Sequence, residues 1–249
     1  MKIVVNDRYA ALRPFVEEIA RHGIPADARE VYRARNRVVA CRVGDIELNI
    51  KAFRRPSFPN NFVYTTLRRS KARRSMENAL RLQSMGFNTP DPVAYIEVKK
   101  GGQLRESYYI SLQINADGDF RRWLEHPDAM AALPDLADEM VRLHRAGVFH
   151  KDFSPGNILF KRRADGHHDF YLIDLNRMRF GVKSQRTLLR NLSVVYVESA
   201  DETARLARLY ARAASLDPHS TEQAARRMLQ RYLTHKRRLR AIKHPFRRT

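Results

Sequence analysis

The chain has 249 residues, of which 43% are hydrophobic and 30% charged, a balance typical of a soluble globular protein with one domain or two lobes. Lys and Arg number 47 against 27 Asp and Glu, a formal net charge of +20, which predicts an anionic partner such as nucleic acid, an acidic membrane surface or a phosphorylated substrate. The longest apolar run, residues 129–133, is too short to span a membrane. Asn6, Asp7 and Arg8 interrupt the N-terminus, so a signal peptide is not expected and the protein is predicted to be cytoplasmic.

The first part of the chain reads mainly as strands separated by turns. Its predicted elements are a strand at 2–5, a helix at 9–21 and strands at 31–35, 38–43 and 46–53, the last two joined as a hairpin. Cys41 is the only cysteine. It has no second cysteine for a disulfide or a zinc site, so we interpret it as a small core residue.

A lysine lies near the end of the strand predicted at 46–53. Strict alternation places Ile46, Leu48 and Ile50 on one face and Lys51 on the other. A strand lysine is more often a solvated edge residue than a ligand-binding one. Lys51 therefore becomes a phosphate-binding candidate only if later motifs require such a residue.

A helix is predicted at 71–86, and Gly86 closes it. Glu77 neighbours Met76 and Leu80 on its probable packing side, where its carboxylate could pair with Lys51. Most helix glutamates face solvent instead. The pairing is therefore an expectation that the structure can test.

The character of the chain changes near residue 113. Strands at 93–98 and 108–114 complete a roughly five-stranded antiparallel sheet. Afterwards, helices are predicted at 119–125, 135–145, 185–198, 200–215 and 220–242, with one short hairpin among them. We therefore predict an α+β protein with two lobes: residues 1–112 form a β-rich, nucleotide-binding lobe with one main helix, and residues 113–249 form a mainly helical catalytic lobe.

The short hairpin carries the chain's most informative polar residues. A cluster beginning at His150 and containing Asp152 and Asn157 leads into the apolar strand 158–160. A second apolar strand ends on Asp174, so the hairpin is expected to deliver Asp174 beside Asn157.

The spacing of these residues matches that of a kinase H-R-D-x-x-x-x-N loop and the following D-F-G segment. Phosphoryl transfer from ATP needs hard oxygen ligands for Mg²⁺ and a carboxylate that orients the attacking hydroxyl and accepts its proton. Asp152 is thus the predicted base, and Asn157 and Asp174 are the predicted Mg²⁺ ligands. The same chemistry needs a strand lysine for the phosphates and a helix glutamate that holds it, roles that Lys51 and Glu77 can fill.

Five segments carry a closer resemblance that covers most of the chain. They are residues 49–53 (Asn-Ile-Lys-Ala-Phe), 77–80, 89–96, 150–157 and 173–180 (Ile-Asp-Leu-Asn-Arg-Met-Arg-Phe). With them the chain resembles the Kdo/heptose lipopolysaccharide kinase family, a bacterial branch of the protein-kinase-like fold. The Asp-Leu-Asn-Arg run is more specific than the general kinase spacing.

The resemblance implies an enzyme that uses ATP and Mg²⁺ to phosphorylate a sugar hydroxyl of the lipopolysaccharide inner core, Kdo or heptose on lipid A. It implies that the enzyme works at the cytoplasmic face of the inner membrane. Its expected partners are the anionic lipopolysaccharide precursor and the anionic membrane surface, and nucleic acid is not expected. By residue-wise transfer, Lys51 binds phosphate, Glu77 positions Lys51, Asp152 is the base, and Asn157 and Asp174 bind Mg²⁺.

Two blocks rich in basic residues suit such a substrate and surface. The first, between Lys51 and Glu77, contains Arg54, Arg55, Arg68, Arg69, Lys71, Arg73 and Arg74. The second contains Arg226, Arg227, Arg231, Lys236, Arg237, Arg238, Arg240, Lys243, Arg247 and Arg248. A solvated helix face and a frayed tail remain an alternative reading of the second block.

The chain departs from the protein-kinase pattern in several places. No G-x-G-x-x-G precedes Lys51, and residues 34–37 occupy the corresponding turn. Lys151 replaces the catalytic-loop arginine, Leu175-Asn176 replaces Phe-Gly, and no A-P-E segment follows. Asn176 can adopt the left-handed turn that glycine often supplies. A protein substrate is therefore disfavoured, and the change to Asn176 need not abolish metal binding.

Two alternatives remain open. The protein could phosphorylate another small hydroxylated metabolite, because the site chemistry does not name its acceptor. It could also be a catalytically silent kinase-like scaffold with a basic surface for nucleic acid or membrane. Intact Asp152, Asn157 and Asp174 argue against the scaffold.

Overall fold

The computed structural model describes residues 1–33, 36–54, 69–122, 130–196 and 199–243. The chain divides into two compact units. The first comprises Met1–Asn115 and Asp174–Arg177, and the second comprises Ala116–Ile173 and Met178–Thr249. The predicted α+β class, with an antiparallel sheet first and helices after it, is confirmed.

The first unit is built on a six-stranded antiparallel sheet with the order β1-β5-β6-β4-β3-β2. Its strands are β1 (Lys2–Val5), β2 (Arg29–Arg33), β3 (Arg37–Val43), β4 (Ile46–Ala52), β5 (Pro92–Lys100) and β6 (Gln103–Leu112). The sheet has one strand more than predicted, because β1 pairs with β5 along the whole of its length.

One face of this sheet forms the main core of the unit. Alternation along β4 fully buries Leu48 and Ile50, as the sequence predicted. The helix α1 (Arg13–His22) packs against this face with Val16 and Ile19, which are three residues apart and so lie on the same side of the helix. The opposite face of β4 is left for Lys51.

The other helix of the first unit, α2 (Lys71–Ser84), begins at Ser70, whose hydroxyl accepts a hydrogen bond from the backbone of Arg73. Ala72 and Met76, four residues apart, are buried in a cluster with Tyr95 of β5. Between them Arg73 and Arg74 stay partly exposed, whereas Ser75 is buried. The helix therefore presents Glu77 at the border between core and solvent.

The second unit contains small sheets and most of the helices. Its strands are β7 (Gly118–Asp119), β8 (Phe149–His150), β9 (Ile158–Arg162), β10 (His168–Leu172) and β11 (Met178–Arg179). Its α-helices, within the described residues, are α3 (Leu133–Arg145), α4 (Gln185–Leu188), α5 (Leu192–Val195), α6 (Ala200–Ala214) and α7 (Pro218–Lys243). β9 and β10 form the expected hairpin, β7 adds to β9, and β8 pairs with β11.

Two predicted helices of this unit differ from the structure. The helix expected at 119–125 begins instead as strand β7, followed by a 3-10 turn, Phe120–Arg122. Gly118 is the strand partner of Phe160, and its backbone packs directly against the Phe160 ring, so this segment adds to the small sheet. The helix expected at 185–198 is broken into α4, a 3-10 turn and α5.

Several predicted features lie outside the described residues. They are the turn residues Ala34 and Arg35, the basic residues Arg55 and Arg68, residues 123–125 and 197–198 of the two predicted helices, and the tail 244–249. Among the helices that are described, none has the length and apolar composition needed to cross a membrane.

Candidate active site

Lys51 and Asp174 form an ion pair in the first unit. The Lys51 Nζ atom lies 2.9 Å from Oδ1 of Asp174, and the two side chains are 18% and 24% exposed. Alternation along β4 turns Lys51 away from Ile50 and the main core, toward the ring of Phe53 two residues on. The structure therefore brings together the predicted phosphate-binding lysine and one of the predicted metal ligands.

The backbone of Asp174 has the left-handed conformation, with φ = 58°. Asn176, whose side chain would also tolerate this conformation, lies in the 3-10 turn Leu175–Arg177, and its φ is not positive. The chain turns sharply directly after Ile173, so Asp174 is the left-handed residue. Asp tolerates this backbone better than most residues because its short side chain can bond locally.

Hydrogen bonds hold the carboxylate and its turn. The side-chain amide of Asn176 donates to Oδ1 of Asp174, and the amide of Asn78 on α2 donates to the carbonyl oxygen of Leu175 at 2.7 Å. A non-glycine residue held in a sparsely populated conformation is typical of functional sites. Asn78 was not predicted to take part, although it lies in the segment 77–80 that carries the family resemblance.

Glu77 is not paired with Lys51. Its two carboxylate oxygens accept hydrogen bonds from Arg73 and Arg69, each at 2.8 Å. Partial burial opposes ionisation, but the bonds from Arg73 and then Arg69 outweigh it and lower the pKa of Glu77. The expected ion pair is therefore wrong, because two guanidinium groups, one of them a full helical turn away at i−4, already hold this carboxylate.

The predicted catalytic loop in the second unit is closed by its own hydrogen bonds. Asn157 donates its backbone N–H to Ser154 at 2.9 Å and its side-chain Nδ2 to the carbonyl oxygen of Asp152 at 2.8 Å. Because a carbonyl can only accept, this bond fixes the orientation of the amide and leaves Oδ1 of Asn157 as its acceptor atom. The loop thus ties the predicted base to a predicted metal ligand.

His150 links this loop to the end of β10. Its Nδ1 accepts the backbone N–H of Asp152 at 3.1 Å, so the proton must lie on Nε2, which donates to the carbonyl of Ile173 at 3.0 Å. The N–H of Ile173 in turn bonds to the carbonyl oxygen of Asn157 at 3.1 Å. Asp174 follows directly on Ile173, the residue after β10 that these bonds hold.

A series of buried hydrogen bonds between polar side chains ends on the backbone carbonyl of His150. Asn191 donates Nδ2 to the carbonyl of His150 at 2.7 Å, so its Oδ1 faces Nε2 of His144 at 3.2 Å. His144 must therefore donate from Nε2, and Tyr210 must donate its hydroxyl to Nδ1, 2.9 Å away. Burial lowers the pKa of His144 to about 4, with the bond to Asn191 acting in the opposite direction.

Sequence reasoning did not find this chain of residues. Its members come from α3, the 3-10 turn after α4, and α6. No spacing rule connects residues that are 47 and 66 positions apart.

The donor atoms suit a hard divalent cation. Asp174 offers a carboxylate and Asn157 an amide oxygen, and Mg²⁺ is usually held by one or two such protein ligands together with waters and substrate phosphates. Within the described part of the chain no group of three or more His, Cys, Asp and Glu residues could hold a metal. Each of these oxygens, Asp174 in the first unit and Asn157 in the second, is by its own chemistry a suitable ligand for Mg²⁺.

The comparisons with known proteins concern the whole fold. Residues 44–232 match the Lipopolysaccharide kinase (Kdo/WaaP) family. A solved structure described as WaaP in complex with acyl carrier protein is similar over 93% of this chain and 99% of its own, with a TM-score of 0.61 and 20% sequence identity. No curated protein matches the chain.

The fold likeness confirms the predicted kinase-like architecture. The family match covers most of the chain, and its range contains all five predicted site residues, Lys51, Glu77, Asp152, Asn157 and Asp174. The chain therefore belongs to the lipopolysaccharide kinase (Kdo/WaaP) family and is a phosphotransferase that acts on a sugar hydroxyl of the lipopolysaccharide core.

Proposed function

We propose that the protein transfers the γ-phosphate of ATP, with Mg²⁺, to a hydroxyl of Kdo or heptose in the lipopolysaccharide inner core. The observation that best supports this proposal is the 2.9 Å contact between Lys51 and Asp174. A strand lysine and an aspartate from a distant turn are the groups that phosphoryl transfer needs for phosphate and for metal.

In the proposed reaction each side chain has one task. Lys51 binds phosphate oxygens, and Asp174 and Oδ1 of Asn157 hold the metal. Asp152 orients the acceptor hydroxyl and takes its proton as the new oxygen–phosphorus bond forms. The bond between the β- and γ-phosphates breaks and ADP leaves. Mg²⁺, when bound, neutralises charge on the phosphate oxygens.

The expected acceptor is anionic, in keeping with the net charge of +20. Kdo carries a carboxylate, and inner-core heptose is attached to Kdo. Kdo on lipid A is the acceptor that we put first, and heptose is the second. The acceptor hydroxyl must lie within hydrogen-bond reach of Asp152.

The direct test is transfer of labelled γ-phosphate from ATP to lipid A carrying Kdo, with and without heptose. Asp152→Asn should lower turnover by roughly 10²- to 10⁴-fold. Asp138→Asn, which alters an exposed aspartate of α3 in the same unit, should not. Transfer that depends on heptose would select heptose as the acceptor. No transfer while ATP still binds would point to another small hydroxylated acceptor, and no ATP binding would favour a silent scaffold.

We also propose that the protein works at the anionic surface of the inner membrane. In the first half of α7, Arg226 is paired with Glu222 and Asp201. Residues 231–239 are exposed apart from the half-buried Leu233 and include four cations and no acid. Tyr232 and Leu239 lie on one side of the helix with Lys236 between them, and the Lys236 ammonium lies 6.0 Å from the Tyr232 ring.

An aromatic and an aliphatic side chain flanking a lysine suit the polar boundary of a bilayer. Each cation near an anionic lipid surface contributes about 1 kcal/mol. Pelleting with vesicles of phosphatidylcholine alone or mixed with phosphatidylglycerol tests the proposal. Arg237→Glu with Arg238→Glu should abolish pelleting with the anionic vesicles, whereas Lys99→Glu with Lys100→Glu, at an exposed hairpin of the first unit, should not.

Acyl carrier protein is the second candidate for this surface, since the similar structure is described as WaaP in complex with acyl carrier protein. Binding to purified acyl carrier protein, lost in the same double variant, would favour it. Pelleting with anionic vesicles in the absence of that protein would favour the membrane.

A further inference from the structure

The guanidinium of Arg121 lies directly against the catalytic loop. Its Nη2 donates to the carbonyl oxygen of Gly156 at 3.4 Å. A Cβ atom at position 156 would lie 1.9 Å from Nε of Arg121 and 2.5 Å from its Cζ. The φ of Gly156 is not positive, so the backbone itself does not require glycine. The missing side chain is what gives the guanidinium room beside Asn157.

Arg121 follows strand β7, which pairs with β9, the strand that continues the catalytic loop. Its backbone N–H bonds to Oδ1 of Asp119 at 2.7 Å. Asp119 lies in β7, opposite Leu159 of β9, the strand that follows directly on Asn157. Phe120, between Asp119 and Arg121, is fully buried, and its ring centroid lies 5.4 Å from that of Phe160. The base of the Arg121 side chain is therefore fixed relative to the loop.

The guanidinium keeps donors available for a ligand. A guanidinium has five N–H donors. Nη2 uses one for Gly156, and Nε lies 3.6 Å from Oδ2 of Asp119, an ion-pair distance that is long for a hydrogen bond. No described residue accepts a hydrogen bond from Nη1. The side chain is 57% exposed. A cation with free donors thus borders the loop that carries Asp152.

We infer that Arg121 binds a Kdo carboxylate of the acceptor. The inference rests on the proposed function, which makes Asp152 the base. That base must reach the acceptor hydroxyl, so a cation that contacts the same loop lies near the acceptor. The nucleotide phosphates already have Lys51 and the metal. Two parallel N–H donors of arginine match the geometry of a carboxylate or phosphate.

The test compares an acceptor whose Kdo carboxylates are charged with one in which those carboxylates are neutral esters. Lipid A carrying Kdo is used beside the same molecule with its Kdo carboxylates converted to methyl esters, and KM is measured for wild type and variants. Hydrogen bonds to charged groups have a value that corresponds to roughly 10- to 100-fold in binding. Arg121→Ala should raise KM for the charged acceptor by about that factor, leave KM for ATP unchanged, and remove the preference of the wild type for the charged acceptor over the ester.

Two further variants separate binding from folding. Gly156→Ala leaves Arg121 intact but pushes its flexible guanidinium off the loop, so the same loss of preference is expected. Arg145→Ala is the matched control, because Nη2 of this exposed residue also donates to a backbone carbonyl, that of Ala213 at 3.5 Å. Its KM for either acceptor should equal that of the wild type.

Three results would overturn the inference. Equal rises in KM for the charged acceptor and the ester would mean that Arg121 only supports the loop. A rise in KM for ATP would make it a nucleotide-phosphate ligand. No change in any of these KM values would mean that Arg121 has no role in binding either substrate. If the wild type phosphorylated neither acceptor, the proposed function would fail on its own, and direct binding of lipid A carrying Kdo, expected to be weaker in Arg121→Ala, would still decide whether Arg121 binds the anion.

Discussion

The side-chain amide of Asn157 donates to the backbone carbonyl of Asp152, five residues earlier, at 2.8 Å. The proposed metal ligand is therefore also the residue whose hydrogen bond closes the loop of the proposed base. This arrangement explains why the spacing between the two residues is informative, since a longer or shorter loop could not close in the same way. It also means that a change at Asn157 has two consequences.

Replacing Asn157 with Ala should remove an oxygen ligand and open the loop. A misplacement of about 1 Å in an active site can cost ~10²-fold in rate, so we expect turnover to fall at least that far and the Mg²⁺ concentration for half-maximal activity to rise. The measurement is phosphate transfer across a Mg²⁺ titration. Asn6→Ala is the control, because Asn6 also donates its amide to a backbone carbonyl at 2.8 Å, that of Pro92. A normal Mg²⁺ titration for Asn157→Ala would contradict the ligand assignment.

The pair of Lys51 and Asp174 makes a second prediction. Lys51→Met keeps the length of the side chain but removes its charge, so Mg²⁺-ATP binding should weaken by roughly 10-fold or more, the usual scale for a lost charged hydrogen bond. Titration with a fluorescent ATP analogue measures this directly. Lys99→Met, at an exposed lysine of β5 in the same unit, should bind as the wild type does. Equal affinity of both variants would exclude Lys51 from phosphate binding.

The local elements and the catalytic spacing were predictable because they depend on short-range patterns. Alternation along β4 identified the face of Lys51, and the hairpin of β9 and β10 was visible in its two apolar runs. The partner of Glu77 was not found, although Arg73 is only four residues away, because the kinase pattern was given more weight than the helix spacing. The left-handed conformation of Asp174 was not predicted, since the side chains of both Asp174 and Asn176 tolerate that backbone and only the tertiary turn selects between them.

Glu77 should contribute to stability in a pH-dependent way. The bonds to Arg73 and Arg69 give it a lowered pKa in the fold despite partial burial. Its contribution is therefore fully present above the unfolded pKa of about 4.3 and is lost as the pH falls through the lower folded value. Glu77→Gln should reduce the free energy of unfolding at pH 7, and the difference from wild type should shrink below about pH 4.

Urea unfolding of the two proteins at neutral and acidic pH measures this difference. Glu18→Gln is the control, because Glu18 is an exposed helix glutamate with long contacts to Arg21 and His22, and such surface pairs contribute little. A gap between Glu77→Gln and wild type that stayed the same at all pH values would mean that charge is not what Glu77 contributes.

His144 should also lose stability as the pH falls, but for a different reason, because its burial favours the neutral ring. Its pKa is about 4 in the fold against ~6.5 when unfolded, so the unfolded chain binds the additional proton between these values. Stability is then full above pH ~6.5 and falls as the pH drops toward 4, by an amount on the order of 3 kcal/mol. His144→Gln should flatten this slope, while His22→Gln, at an exposed histidine of α1, should leave it unchanged.

The same variant should also affect catalysis through position. Gln cannot match both the acceptor that faces Tyr210 and the donor that faces Asn191, so the bond from Asn191 to the carbonyl of His150 loses its support. Because His150 holds the backbone of Asp152, we expect a lower kcat with little change in KM for ATP, measured at pH 7.5, where both proteins are folded. A variant with the stability change but a normal kcat would show that the chain from Tyr210 to His150 serves the fold alone.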